Sequence, residues 1–189
     1  INMSIAQSLA NHFLIAMPTL RDPNFARTVT LICEHTDQGA MGIVINRITD
    51  LTLAEVFEQM NIDGRESGNL GLPVHVGGPV QSNRGFVLHE PIGQWESTLA
   101  VSESLGVSTS RDILVALAEN RGPEHCLLAL GYAGWSPGQL ERELSENAWL
   151  SGPADRQILF DLPAEQRWNA AVQHLGVDPA SLSSDAGHA

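Results

Sequence analysis

The apolar residues of this chain come in short runs, separated in some places by tight turn signals and in others by helix-length segments. That mixture constrains the fold more than any other feature. Strands joined only by turns make sandwiches or barrels, and strands alternating regularly with helices make doubly wound sheets. A chain that does both is expected to form a mixed, antiparallel-rich α+β sheet, and strand-rich halves of this size tend to curl towards a barrel.

Residues 13–17 read as a short apolar strand stopped by Pro18, with a turn at Asp22-Pro23-Asn24. Residues 28–35 read as a strand with Val29, Leu31, Cys33 and His35 on one face and Thr28, Thr30, Ile32 and Glu34 on the other. A loop with Asp37 and Gly39 joins it to a strand over 41–46, as a hairpin. Thr52 and Glu55 have capping-box spacing, Leu51 can staple onto Val56, and the helix they open runs to about Met60. Further strands are expected over 74–76, 85–89 and 98–101, and a helix capped near Ser110 with Ile113, Leu114, Leu117 and Ala118 along one stripe. It stops before Gly122-Pro123. The unbroken apolar run 126–130 predicts a central buried strand. Ser136-Pro137 predicts a third helix with serine as cap. Residues 147–150 and 157–160 read as extended. A last helix from about 161–163 carries Trp168, Ala171, Val172 and Leu175 inwards and ends at Gly176. The length suits a single domain over 3–176 with a loosely ordered tail over 177–189. Ile1 and Asn2, ahead of Met3, read as extraneous.

Charge narrows the chemistry. The chain carries 22 acids against 10 bases, a net charge of −12, and every base is an arginine. Without lysine there is no phosphate-binding lysine of the Walker type, no Schiff base and no kinase-type strand lysine. A strongly acidic surface opposes nucleic acid and anionic membranes alike. Two cysteines, Cys33 and Cys126, are too few for a disulfide framework, and no apolar run reaches membrane-spanning length. A cytoplasmic protein with free thiols is expected.

Two catalytic candidates stand out. Gly134-Trp135-Ser136-Pro137-Gly138 fits the G-x-S-x-G pattern between a strand and a helix. However, the oxyanion hole of such an elbow uses the N–H after the serine, and Pro137 has none. Cys33-Glu34-His35 offers a thiol near an imidazole, although residues two apart on a strand lie about 6.5 Å apart, beyond hydrogen-bond reach. The competing readings are a helix-capping Ser136 and a Cys33 that is simply buried. The histidines show no metal-ligand spacing, and phosphate or dinucleotide fingerprints are missing; no cofactor is implied. What remains is a set of arginines beside glycine-bearing turns: Arg27, Asn46-Arg47, and Gly77-Gly78 with Arg84. Arginine binds carboxylate or phosphate bidentately, so these six residues form a candidate ligand-binding set. The alternative is that the arginines neutralise the protein's own acids.

The strings F-L-I-A-M-P-T-L-R-D-P-N-F-A-R-T-V-T-L-I-C-E-H (13–35), G-A-M-G-I-V-I-N-R (39–47), V-G-G-P-V (76–80), R-G-F-V-L-H (84–89), L-L-A-L-G-Y-A-G-W-S-P-G-Q-L-E (127–141) and N-A-W-L (147–150) together resemble the bacterial AlgH/YqgE family. The resemblance runs from about Ser4 to the end of the chain; Ile48 stands where the family commonly has proline. It implies a bifurcated sheet curled into a pseudo-barrel with helices outside, a cytosolic protein, and a transcriptional-regulator label linked to alginate production. No catalytic residues come with it. The expectation is therefore a non-enzymatic regulatory or interaction protein. It would act through a protein partner or a small anionic ligand, not by direct DNA binding, with segments 39–47, 77–84 and 131–138 as the recognition surface. An enzyme using Cys33 or Ser136 is the alternative.

Overall fold

A computed structural model of the chain describes residues 8–182. Its strands are β1 (His12–Ala16), β2 (Val29–Thr36), β3 (Gly39–Val44), β4 (Ile48–Thr52), β5 (Pro73–Val76), β6 (Val80–Glu90), β7 (Thr98–Ala100), β8 (Gly106–Ser108), β9 (His125–Trp135) and β10 (Trp149–Pro153). The helices are α1 (Leu53–Gln59), α2 (Arg111–Ala118), α3 (Gln139–Ser145) and α4 (Arg167–His174). The main path through the sheet is β10-β1-β2-β3-β9-β6-β8-β7. Neighbours along it pair antiparallel, and the sheet forks at β9.

The fork has a simple geometry. One edge of β9 pairs with β6 from His125 to Tyr132. The other edge is shared: β5 runs parallel to Leu128–Leu130, and β3 runs antiparallel to Ala133–Trp135. β4 pairs only with β5, so it carries the branch away from the main path. Where the two partners meet, the Val44 N–H donates to the Gly77 carbonyl at 2.8 Å and the Gly77 N–H to the Leu130 carbonyl at 2.7 Å. Backbones approach too closely here for side chains. A Cβ on Gly77 would lie 2.3 Å from the Gly131 oxygen, and one on Gly131, at φ +78°, 2.4 Å from the Gly78 oxygen.

Side chains alternate between cores with period two. On β9, Leu127 and Ala129 enter the largest core, Leu128 the second, and Ala133 and Trp135 the third. On β1, Phe13 and Ile15 go one way, Leu14 and Ala16 the other. Both faces are covered, which is why these strands read as unbroken apolar runs. The largest core packs Val29, Leu31, Ile43 and Leu88 against Ile158, Leu159, Trp168 and Val172. The second lies under Leu53 and Phe57 of α1 and Ile113 and Leu117 of α2. The third sits under α3, where Glu143 accepts both the Trp135 and Trp149 indole N–H groups at 2.9 Å.

The mixed sheet and the curl match the sequence reading, and the differences have physical causes. β4 and β8 are strands that it did not foresee, because neither carries an apolar alternation. Residues 157–160, read as extended, belong to a π-helical turn, Gln157–Asp161, that buries Ile158 and Leu159 side by side. Ser136 is not the cap of α3; that position is Gly138, at φ +78°, and Ser136 takes the Gln139 side chain onto its own N–H at 2.9 Å. Ser110 does stand at the N-cap of α2, but its hydroxyl donates to Asp112. On α2 Ala116 is buried with Ile113, Leu117 and Ala118, and Leu114 packs half-buried against the second core. Val177 and Leu182 pack on the largest core, while Ile1, Asn2 and residues 183–189 lie outside the described residues.

Gly131 and Gly138 share a φ of +78° but not an environment: nothing lies within 4 Å of a Cβ on Gly138. Gly138→Ala is therefore expected to cost about 1–2 kcal/mol, the left-handed penalty alone. Gly131→Ala adds a backbone collision of the overpacking kind, about 1–3 kcal/mol more. Urea unfolding of the two variants checks the ranking, and equal losses would refute the fork's tight crossing.

Candidate functional site

The sequence-derived set does not gather into one site. Three members hold a loop. The Asn46 side chain accepts the Val29 N–H at 2.8 Å and donates to the Arg27 carbonyl at 2.9 Å. The Arg47 guanidinium donates to the carbonyls of Asn24 and Ala26, each at 2.9 Å. Arg27, at φ +54°, places its guanidinium 4.2 Å from the centre of the Trp168 ring; a cation–π contact of this kind is worth about 0.5–1 kcal/mol where exposed. Together they clip the 22–28 turn to the end of β3 and to α4. Gly77 and Gly78 serve the β9 fork, where a Cβ on Gly78 would lie 2.1 Å from the Tyr132 backbone.

Arg84 shares no partner with those three. It is exposed on β6, donates to Gln81 at 3.1 Å and to Thr109 at 3.4 Å, and sits 5.6 Å from the Phe86 ring centre. Two hollows meet at Arg84 and Phe86. One is open, about 600 Å³, and is lined from all three segments singled out in the sequence: Ala40 and Met41, then Val80, Gln81 and Arg84, then Tyr132, Gly134, Trp135 and Ser136. The other is a narrower cavity of about 190 Å³ between β6, α1 and α2. Sequence reasoning missed Arg111 at its mouth. Arg111 donates to the Met60 and Asn61 carbonyls at the end of α1, and no glycine-rich turn beside it marked it out.

The thiol candidate is enclosed. Cys33 is 2% exposed within the largest core, and burial, with Glu34 nearby, pushes its pKa up to about 12. Cys126 is pushed up to about 11 by burial. The His35 imidazole does not reach Cys33: it accepts the Leu9 N–H at 3.0 Å and lies 2.9 Å from Glu141 of α3. Among the described residues, no group of three His, Cys, Asp or Glu side chains gathers to hold a metal.

A buried cation went unnoticed in the sequence because it directly precedes the apolar stripe of α4. Arg167, 6% exposed, donates to the carbonyls of Ile45 and Leu162 and to His75 Nε2. His75 Nδ1 donates to the Leu128 carbonyl at 2.9 Å, so its Nε2 carries the lone pair that Arg167 needs. Burial and the Arg167 charge hold the His75 pKa down at about 4. The hollow beside this pair also contains Asp161 and Glu165.

A family model described as DUF179, AlgH-like, matches residues 13–180. A UPF0301 protein of Thioalkalivibrio sulfidiphilus is 58% identical over 187 residues, covering 99% of this chain and 100% of its own. A UPF0301 protein of Laribacter hongkongensis is 55% identical over 181 residues, 96% of this chain and 97% of its own. Among solved structures, the solution structure of the Pseudomonas aeruginosa AlgH protein superposes with a TM-score of 0.79 at 54% identity, covering 97% of each chain. Protein DIP2367 of Corynebacterium diphtheriae, at 20% identity and a TM-score of 0.70 over 92% of each chain, shares the fold. No helix among the described residues is long and apolar enough to cross a membrane.

The His75 geometry has a sign. Its pKa is about 4 when folded against 6.5 ordinarily, so the unfolded chain takes up the proton first as pH falls. The stability tied to the neutral ring is whole above about pH 6.5 and is lost as pH drops towards 4, by about 3 kcal/mol at most. His89, lowered by burial, adds to the same trend. Unfolding free energies measured across that window are expected to fall with acid. His75→Gln, which still offers Arg167 an acceptor, is expected to flatten the fall in part.

Proposed function

Since the chain belongs to the AlgH-like family, which brings no reaction with it, the site geometry has to speak for function, and we propose that the protein works by recognition, as a regulatory binding protein that takes a small anion at Arg84. The observation that carries this is the position of Arg84, exposed where three separate segments converge on one open hollow, with uncharged Gln81 and Thr109 as its hydrogen-bond partners. Among the described residues only Arg65, Arg121 and Arg156 pair with carboxylates within the chain, despite its 22 acids. A net charge of −12 repels anions at long range, so an anion site needs a cation whose guanidinium is not already committed to an acid. Arginine's planar fork suits carboxylate or phosphate.

The rival thiol chemistry lacks an accessible thiolate, since only the ionised sulfur attacks and Cys33 is buried with a raised pKa. The rival serine chemistry lacks an N–H after Ser136 to hold an oxyanion. Direct DNA binding has the charge balance against it.

Inorganic phosphate and acetate titrated into the protein are expected to shift the amide resonances of Gln81, Arg84 and Gly85. Arg84→Gln is expected to weaken binding about tenfold or more, the usual worth of a charged hydrogen bond. Unaltered binding in that variant refutes the site. Saturable turnover abolished by Cys33→Ala or Ser136→Ala refutes the recognition reading, and so does tight, salt-sensitive retention of duplex DNA in a gel shift. If the protein binds an acidic peptide segment but neither free anion, the partner is a protein and the small-anion reading falls.

A further inference from the structure

The narrower cavity specifies the anion further. It has apolar walls, including Val56, Phe86, Leu114, Leu128 and Leu130, and its lining includes two charged residues, Arg84 and Arg111, with no aspartate or glutamate. Four other hollows among the described residues each contain at least one carboxylate: Glu34 in the open one, Glu90 and Asp155 in a second, Asp161 in a third, and Asp161 with Glu165 beside Arg167. Arg111 is held in place by two backbone carbonyls, which leaves its charge uncompensated by an acid. The lining thus combines an apolar interior with two cations, and the ligand complementary to it is an anion with an apolar tail.

We propose that the cavity between β6, α1 and α2 is a binding site for a small amphipathic carboxylate, aryl or short-alkyl, with its head between Arg84 and Arg111 and its tail beneath Phe86. The proposal rests on the reading that an anion is recognised at Arg84, and adds which anion. Size sets the tail. At 190 Å³ the cavity falls below the ~300–1,000 Å³ of sites for drug-sized ligands and cofactors, which excludes a dinucleotide or a long acyl chain. It exceeds the ~150 Å³ apolar cavity that admits benzene. A phenyl ring or a tail of about six carbons fills it, at roughly one carbon per water volume of ~30 Å³.

The test is a calorimetric series on the full chain: acetate, butanoate, hexanoate, octanoate, benzoate, inorganic phosphate and 1-hexanol. Affinity is expected to rise about fourfold per methylene, the equivalent of ~0.8 kcal/mol, and to level off near six or seven carbons, with benzoate well above acetate. Arg111→Gln is expected to weaken hexanoate about tenfold. Val56→Phe narrows the cavity from a half-buried helix position and is expected to abolish the chain-length gain while acetate binding persists. Should Val56→Phe not fold, nuclear Overhauser contacts from hexanoate methyl protons to Phe86 and Leu114 in the unaltered protein decide the same point. Acetate and phosphate binding as tightly as hexanoate would overturn the tail and leave the anion reading standing. Hexanol binding as tightly as hexanoate would overturn the anion reading, and the carboxylate with it. Binding by none of the series overturns both.

Discussion

Everything in this fold depends on β9 hydrogen-bonding to three strands with only two edges. One edge goes to β6; the other must be divided between β5 and β3. The division works only where backbone meets backbone without side chains between, and Gly77, Gly78 and Gly131 supply that place. Their cost is conformational entropy, since glycine loses more freedom on folding than any other residue. The return is a branch, β4–β5, that leaves the main path and holds α1 near β6. The fork therefore creates the cavity at Arg84: without a diverging β5, α1 would not stand across from β6.

The arginines show how an acid-rich chain without lysine distributes positive charge. Arg47 and Arg167 spend their guanidinium groups on backbone carbonyls, Arg27 on an indole face, and Arg65, Arg121 and Arg156 on carboxylates. A guanidinium suits carbonyls and aromatic faces because it is planar, delocalised and weakly hydrated, which a lysine ammonium is not. Arg167 is the extreme case, buried deeply enough that its pKa falls to about 10 and dependent on a histidine kept neutral by the same burial.

Much of this was legible in the chain. Unbroken apolar runs located β1 and the first half of β9, a two-faced alternation located β2, and the mixture of turns and helices identified the class. The second half of β9 was harder, because Gly131, Tyr132 and Gly134 interrupt the apolar run while the strand continues to Trp135. The π-helical turn was hidden because Ile158 and Leu159, buried side by side, look like a fragment of strand. The loop of Arg27, Asn46 and Arg47 could not be told from a ligand site, since both uses want the same residues beside the same turns. Arg111 was invisible for the opposite reason: it looks like an ordinary first-turn residue until α1 is known to end against it.

What distinguishes a recognising arginine from a structural one is the group that already satisfies it. A guanidinium held by backbone carbonyls and a neutral histidine nitrogen in a dry interior would cost the fold dearly if moved. One bound to a neutral amide and hydroxyl at the surface keeps its full charge and can exchange those partners for a carboxylate, which adds an opposite charge and a bidentate geometry that neither neutral group offers. Arg84 is of the second kind and Arg167 of the first, though both belong to the same acidic chain. The same reasoning sets the thiols aside. Reactivity requires a stabilised anion, and burial of Cys33 opposes that anion, with the nearby Glu34 adding to the opposition. The chain thus encloses the Cys33 thiol and leaves the Arg84 guanidinium at the surface with uncharged partners.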